Sequence, residues 1–109
     1  MNCSVLTTPA FEKQVKKLSK KFRNIAEDIR YLSTELEAGQ ILGDAMMGIG
    51  RRVYKVRLKS RDMTKGKSGG YRVIYYLQSV DQIYLLMIYQ KAEKASVLAV
   101  ELQALLNDL

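Results

Sequence analysis

The sequence predicts an α+β fold in which amphipathic helices pack against a small antiparallel sheet. Two observations support this class: apolar residues recur at helical spacing near both ends of the chain, and three strand-like runs follow one another between them. The resulting order is β-α-α-β-β-β-α, with two N-terminal helices and one C-terminal helix. A chain of 109 residues, 48% of them hydrophobic, is the size of one domain with a packed core. We therefore expect a single domain over residues 1–109.

The N-terminal third predicts one strand and two helices. Ser4–Thr7 can form a short strand, and Thr8–Pro9 is typical of a helix start, because threonine caps a helix and proline favours its first position. Two stripes of apolar residues follow at helical spacing: Phe11, Val15, Leu18 and Phe22, and then Ile25, Ile29, Leu32 and Leu36. We expect a break between them near Lys20–Arg23, because Asn24 and Glu27 have the spacing of a capping box.

Three strands and a last helix are predicted in the remainder of the chain. After a glycine-rich loop, Arg52–Lys59 alternates between two kinds of residue, which predicts a strand with one buried face. Tyr71–Leu77 is rich in tyrosine and β-branched residues, and Ile83–Tyr89 is almost entirely apolar, as in a central strand covered on both faces. Short connections between these strands predict an antiparallel meander, one face of which the helices cover. The last helix is expected from about Ser96, with an apolar stripe of Leu98, Leu102, Leu105 and Leu109.

Positive charge is concentrated in one segment. The net charge of the chain is +7, and residues 51–72 contain nine cations and one anion, a local net charge of +8. Residues 73–109 contain two cations and four anions. A patch of this kind predicts an anionic partner such as a nucleic acid.

Residue types that are rare or missing argue against several kinds of protein. The chain has no histidine and one cysteine, Cys3, so an internal disulfide is excluded and a zinc or other transition-metal site is not expected. No apolar run approaches the roughly 20 residues that span a bilayer, and Met1–Pro9 does not resemble a signal peptide. We expect a cytoplasmic protein with no cofactor and no membrane partner.

The alternation within the strands brings several cations together. Lys55 and Arg57 share one face of their strand, and Arg72 lies early in the next strand, so a hairpin places Arg57 and Arg72 close together. Like charges opposite each other are destabilising unless an anion lies between them. This pattern predicts a surface that binds phosphate groups.

Three stretches carry a resemblance to a known family. They are VYKVRL at Val53–Leu58, KGKSGGYRVIYY at Lys65–Tyr76 and YLLMIYQKAEK at Tyr84–Lys94. With the predicted helices, they resemble the RelE toxins of the RelE/ParE superfamily, and in particular the HigB-like branch with its KGK-x-GG-x-R-x-IYY pattern. The resemblance covers nearly the whole chain. It implies a compact RelE-like fold and a toxin of a type II toxin–antitoxin pair that cleaves messenger RNA in the ribosomal A site.

The resemblance also assigns roles to individual residues. The positions that match the family's catalytic basic residues are Lys55, Arg57 and Arg72. Where some members have an arginine and, in the last helix, a tyrosine, this chain has Ala92 and Leu98. Lys91 and Lys94 are the cations available to replace them.

The residue types present fit RNA cleavage by the 2′-hydroxyl of the RNA itself. That reaction needs no metal, but the enzyme must position the chain, move protons and stabilise a charged phosphorane. We expect Arg57 and Arg72 to clamp the phosphate, and Lys55 or Lys91 to act as acid or base, because positive neighbours disfavour a protonated lysine. Glu93 is expected to anchor a nearby lysine or the start of the last helix. The residues expected to bind RNA are Lys67 and Lys94 and, by stacking on a base, Tyr71 and Tyr89.

Two other functions remain open at this point. ParE-type relatives inhibit DNA gyrase without cutting RNA, and a non-catalytic module would bind RNA or the ribosome without cleavage. The dense strand cations and the KGK-x-GG-x-R motif favour the ribonuclease. Such an enzyme must be restrained, so we expect a cognate antitoxin whose acidic or apolar amphipathic segment covers the basic sheet or displaces the last helix. Higher-order toxin–antitoxin complexes are also among the expected assemblies.

Overall fold

The computed structural model describes residues 3–63, 69–94 and 96–109. Its elements follow the predicted order with one addition, a two-residue strand after the second helix. In chain order they are β1 (Ser4–Thr7), α1 (Pro9–Ser19), α2 (Ile25–Glu37), β2 (Asp44–Ala45), β3 (Val53–Leu58), β4 (Tyr71–Ser79), β5 (Gln82–Gln90) and α3 (Ala99–Asn107). Among the described helices, none is long and apolar enough to cross a bilayer.

The five strands form one mixed sheet in the order β1-β5-β4-β3-β2. The predicted meander is confirmed, because β3 pairs antiparallel with β4, and β4 pairs antiparallel with β5. The prediction of an antiparallel sheet was wrong at one edge, because β1 pairs parallel with β5. This pairing joins two segments that are far apart in the sequence, and the local alternation of either strand gives no sign of it. It makes β5 an inner strand, as its apolar sequence predicted.

The two N-terminal helices begin differently. α1 starts as predicted, with proline at its first position and Thr8 Oγ1 accepting a hydrogen bond from the backbone N–H of Phe11 at 3.1 Å. α2 has no side-chain cap, so the predicted capping box of Asn24 and Glu27 is wrong. Asn24 instead donates from its backbone and its side chain to the carboxylate of Asp62, at 2.8 and 2.9 Å. These bonds attach the start of α2 to the segment that follows β3.

Helices cover both faces of the sheet, whereas one covered face was predicted. α1 and α2 pack on one face through a core that includes Phe11, Leu36 and Tyr75. α3 packs on the opposite face through Leu102 and Leu106. The apolar stripe of a helix shows which side of the helix is buried, but it does not show which face of a sheet receives it.

The last helix is shorter than predicted and buries different leucines. It spans Ala99–Asn107 and therefore begins later than expected. Leu102 and Leu106, one helical turn apart, are buried, whereas Leu98 and Leu109 are 62% and 45% exposed. The predicted stripe was partly wrong, because these last two residues lie outside the helix.

Asp28 of α2 is a buried carboxylate that also contacts the segment after β3. It is 5% exposed, accepts a hydrogen bond from the backbone N–H of Arg61 at 3.3 Å and lies 3.7 Å from the Nε of the same residue. Burial raises the pKa of Asp28 above its usual value of 3.8, although the N–H group and the positive charge of Arg61 oppose the shift. The folded chain therefore retains this proton to a higher pH than the unfolded chain.

Replacement of Asp28 by asparagine is expected to change the pH dependence of stability. Because the folded-state pKa is raised, the wild type has the full contribution of this group below the unfolded value of 3.8 and loses it as the pH rises through the folded-state pKa. Asp28→Asn lacks this titration, so it should gain stability relative to the wild type as the pH rises from about 3.5 to about 7. Urea unfolding of both proteins at the two pH values measures the difference, and a relative loss for the variant would contradict this expectation.

Candidate nucleic-acid interface

A row of three side chains crosses β3, β4 and β5. In the strand register, Arg57 lies directly opposite Arg72, and Arg72 lies opposite Tyr89 on its other side. Residues paired in this way project from the same face of a sheet, and Lys55, two residues before Arg57, shares that face. The register confirms the predicted proximity of the two arginines and places Tyr89 next to them. We call Arg57, Arg72 and Tyr89 together the cationic row, after its two arginines.

Both arginines of the cationic row contact backbone carbonyl groups. The exposed Arg57 donates from Nε to the carbonyl oxygen of Gly69 at 3.3 Å, and the half-buried Arg72 donates from Nη1 to the carbonyl oxygen of Tyr71 at 3.3 Å. Within residues 3–63, 69–94 and 96–109, no carboxylate forms an ion pair with Arg72. A guanidinium group has five N–H donors, so these bonds orient the planar groups and are compatible with bidentate binding of a phosphate.

Lys55 is the third cation on this face of the sheet. It is half-buried and lies opposite Ile74 of β4 on one side and Asp44 of β2 on the other. β2 therefore brings a carboxylate residue to the position paired with this lysine. The sequence did not predict β2, because two residues are too few to show an alternating pattern.

Tyr89 is buried although it belongs to the cationic row. It is 7% exposed, and its ring lies in the apolar cluster that α3 forms with the sheet through Leu102 and Leu106. A ring covered in this way presents no face to a nucleic-acid base, so base stacking is not available to Tyr89 here. Its hydroxyl group is buried and has no hydrogen-bond partner among the described residues. Burial raises the pKa of Tyr89, while the positive charges of Arg72 and Lys94 oppose the increase.

Tyr71 lies on the opposite face and is not part of the interface. It is completely buried, packs edge-to-face against Phe22, and accepts a hydrogen bond from the Ser60 hydroxyl at 3.3 Å. This burial overturns the expectation that Tyr71 stacks on a base. The reason is its position one residue before Arg72, because successive residues of a strand face opposite sides.

The cations after β5 lie in different environments. Lys91 is exposed in the turn after the strand, whereas the Nζ of Lys94 pairs with both carboxylate oxygens of Glu101 at 3.0 and 3.2 Å. Glu101 also accepts a hydrogen bond from the backbone N–H of Leu98 at 3.1 Å. The Leu98 N–H and then the Lys94 ammonium lower the pKa of Glu101. Lys67, a predicted RNA-binding residue, lies outside the described residues.

Glu101 was missed by the sequence-based assignment of roles. We expected Glu93 to anchor a nearby lysine or the start of the last helix, but the structure gives both roles to Glu101. Its position three residues after Leu98 is the spacing at which a glutamate binds the backbone at the start of a helix, and this spacing was the available signal. Ala92 and Leu98, where some relatives have arginine and tyrosine, are exposed and carry no polar group.

Comparison with known proteins gives a family match and a similar solved structure. A model of the family described as the RelE toxin of the RelE/RelB toxin–antitoxin system matches residues 5–107. The fold resembles that of the E. coli toxin RelE, solved in the free state as a mutant with two arginine-to-alanine changes, with a TM-score of 0.58 and 15% sequence identity. This match covers 87% of the present chain and 90% of the other. The likeness supports the fold, and the family match over nearly the whole sequence shows that the chain belongs to the RelE toxin family.

Proposed function

We propose that the protein is a ribosome-dependent endoribonuclease that cleaves messenger RNA in the cytoplasm and so inhibits translation. The observation that carries this proposal is the pairing of Arg57 with Arg72 on one face of the sheet, with Lys55 on the same face. Two like charges in paired positions are unfavourable unless an anion lies between them. An RNA phosphate supplies that anion, and membership of the RelE toxin family favours RNA over other phosphorylated ligands.

In the proposed reaction, the 2′-hydroxyl of one nucleotide attacks the adjacent phosphorus atom. A bond forms between the 2′-oxygen and phosphorus, and the bond from phosphorus to the 5′-oxygen of the next nucleotide breaks. The products are a 2′,3′-cyclic phosphate and a 5′-hydroxyl, and the proposed reaction uses no metal or other cofactor. Arg57 and Arg72 hold the non-bridging oxygens, and their permanent charge stabilises the phosphorane. One well-placed donor of this kind lowers the barrier by about 3 to 4 kcal/mol.

Lysines supply the proton transfers in this proposal. Lys55, on the same face as the arginine pair, removes the proton of the 2′-hydroxyl, and Lys91, in the turn after β5, protonates the leaving 5′-oxygen. General acid–base catalysis of this kind contributes about 10²- to 10⁴-fold to a rate. Lys67 and Lys94 contact neighbouring phosphates of the RNA.

We also propose that a cognate antitoxin closes this surface. The family to which the chain belongs is described as the toxin of a toxin–antitoxin system. α3 packs on the face of the cationic row, and Leu98 and Val100 at its start are 62% and 69% exposed. An acidic or apolar amphipathic segment that displaces α3, or lies beside it, blocks the access of RNA to Arg57 and Arg72. Affinity purification of the native operon products tests this point, and recovery of the toxin without a partner would count against it.

Primer extension on a reporter message in a cell-free translation reaction tests the proposed activity. The expected result is a set of cuts inside translated codons that disappear when ribosomes are omitted. A supercoiling assay with purified DNA gyrase runs in parallel. Intact RNA at every dose together with inhibited gyrase would replace the ribonuclease by a gyrase inhibitor. Intact RNA together with binding to ribosomes would replace it by a non-catalytic module.

A further inference from the structure

The Tyr89 hydroxyl is an unpartnered polar group at one end of the cationic row. Tyr89 lies opposite Arg72 in the register and is 7% exposed. Its hydroxyl oxygen is closed to solvent and has no hydrogen-bond partner among the residues that the structure describes. Buried polar groups in folded proteins are almost always hydrogen-bonded, so an unpartnered one marks either strain or a ligand site. Its place beside the paired arginines favours the ligand site.

The charged groups near this hydroxyl favour an anionic ligand. Arg72 is paired with Tyr89 in the strand register. Among the described residues, the positive charges of Arg72 and Lys94 oppose the rise in the pKa of Tyr89. The carboxylate of Glu101 forms an ion pair with Lys94. Because burial raises the pKa of Tyr89, the phenol keeps its proton at neutral pH and acts as a donor. A hydroxyl donor beside two cations matches an oxygen atom of a phosphate group.

We propose that the Tyr89 hydroxyl donates a hydrogen bond to a phosphate oxygen of the bound messenger RNA, next to Arg72. This inference rests on the proposed function and adds Tyr89 to the residues that bind the RNA backbone. The ring supplies the positioning, because it is buried in the apolar cluster that also contains Leu102 and Leu106 of α3. A donor held in place before the substrate arrives needs little ordering when the phosphate binds.

In this proposal, the phosphate enters by replacing the Glu101 carboxylate at Lys94. The side chains of the pair are 37% and 35% exposed. Ion pairs at that exposure contribute little to stability, so an RNA phosphate can replace the Glu101 carboxylate as the partner of Lys94 without disrupting the fold. The exchanged phosphate then lies between Lys94 and Arg72, two cations that act on the Tyr89 hydroxyl.

Tyr89→Phe tests this proposal because it removes the hydroxyl oxygen and keeps the packed ring. We expect ribosome-dependent cleavage to slow about 10- to 100-fold, with unchanged or higher folding stability. Tyr84→Phe is the matched control, because it removes a tyrosine hydroxyl from the same strand. Tyr84 lies outside the cationic row, and its hydroxyl accepts a hydrogen bond from the side chain of Gln82 at 3.3 Å. This control variant should cleave like the wild type. Equal cleavage by Tyr89→Phe and the wild type would overturn the proposal.

Phosphate binding gives a second readout that does not depend on cleavage. In protein with ¹³Cζ-labelled tyrosine, the signal that disappears in Tyr89→Phe should shift saturably when inorganic phosphate is added at constant ionic strength. The shift should vanish in Arg72→Ala, and the Tyr84 signal should not move. A shift in a protein that cuts no RNA would support the phosphate site and reject the proposed function. A Tyr89 signal that does not respond to phosphate would overturn the inference even if the wild type cleaves RNA.

Discussion

Arg72→Ala is expected to slow ribosome-dependent cleavage by about 10²- to 10³-fold while the protein remains folded. Arg72 is the middle member of the cationic row, with Arg57 on one side and Tyr89 on the other. In the proposed reaction its guanidinium group acts on the phosphate together with both neighbours. The loss should appear mainly in kcat, because negative charge on the phosphate oxygens develops in the transition state. Single-turnover cleavage of a ribosome-bound message measures it.

Two further variants separate the position of Arg72 from its charge. Arg52→Ala removes one positive charge from an exposed residue just before β3, outside the cationic row, and should leave activity close to that of the wild type. Arg72→Lys keeps the charge but loses the planar fork that binds two oxygens, so its activity should be intermediate. Wild-type activity of Arg72→Ala, or an equal loss in Arg52→Ala, would contradict the assigned role.

Gly43→Ala is expected to destabilise the protein by about 2 to 5 kcal/mol. Gly43 has a φ of +83°, and a Cβ atom at this position would lie 2.3 Å from the carbonyl oxygen of Lys55 and 2.9 Å from the Cα of Val56. The contact is with the backbone of β3, which cannot rotate away as a side chain can. We therefore expect β2 to separate from β3 and cleavage to fall, because this backbone carries Lys55. Urea unfolding measures the change in stability.

Gly48→Ala is the matched control for the steric contact. Gly48 has a similar φ of +81°, but a Cβ atom there would meet nothing within 4 Å. The unfavourable φ alone should cost about 1 to 2 kcal/mol. An equal loss of stability in Gly43→Ala and Gly48→Ala would show that the contact with Lys55 is not the cause.

Local rules were sufficient to predict the arginine pair. The alternation in β3 and β4 determines which residues share a face. Because the two strands follow one another in the chain and pair antiparallel, it is enough to identify Arg57 and Arg72 as neighbours. The start of α1 was equally predictable, because the capping bond joins Thr8 to Phe11, three residues later in the sequence. Such features depend on neighbours in the sequence, and the sequence displays them directly.

The predictions that failed depend on packing between distant parts of the chain. The parallel pairing of β1 with β5 and the position of α3 on the second face join segments far apart in sequence. Asn24 illustrates the same point, because its partner Asp62 lies in a different segment and competes with the local capping box. Local sequence patterns do not show which distant segments contact each other.

The predictions that Tyr71 and Tyr89 stack on a base failed for different reasons. Tyr71 precedes Arg72 by one residue, so the alternation of a strand was enough to place it on the other face. Tyr89 obeys the alternation and lies in the cationic row, but its ring is buried in the apolar cluster to which α3 contributes. The first error was avoidable from the sequence, whereas the second required the position of α3.

A ribosome-bound message with a single 2′-deoxynucleotide at the mapped cut site tests the central claim most directly. The all-ribose message should be cut to a 2′,3′-cyclic phosphate and a 5′-hydroxyl, and the substituted message should remain intact on the same ribosomes. Cleavage of both messages would contradict attack by the 2′-hydroxyl of the RNA. Cleavage of neither would contradict the ribonuclease itself.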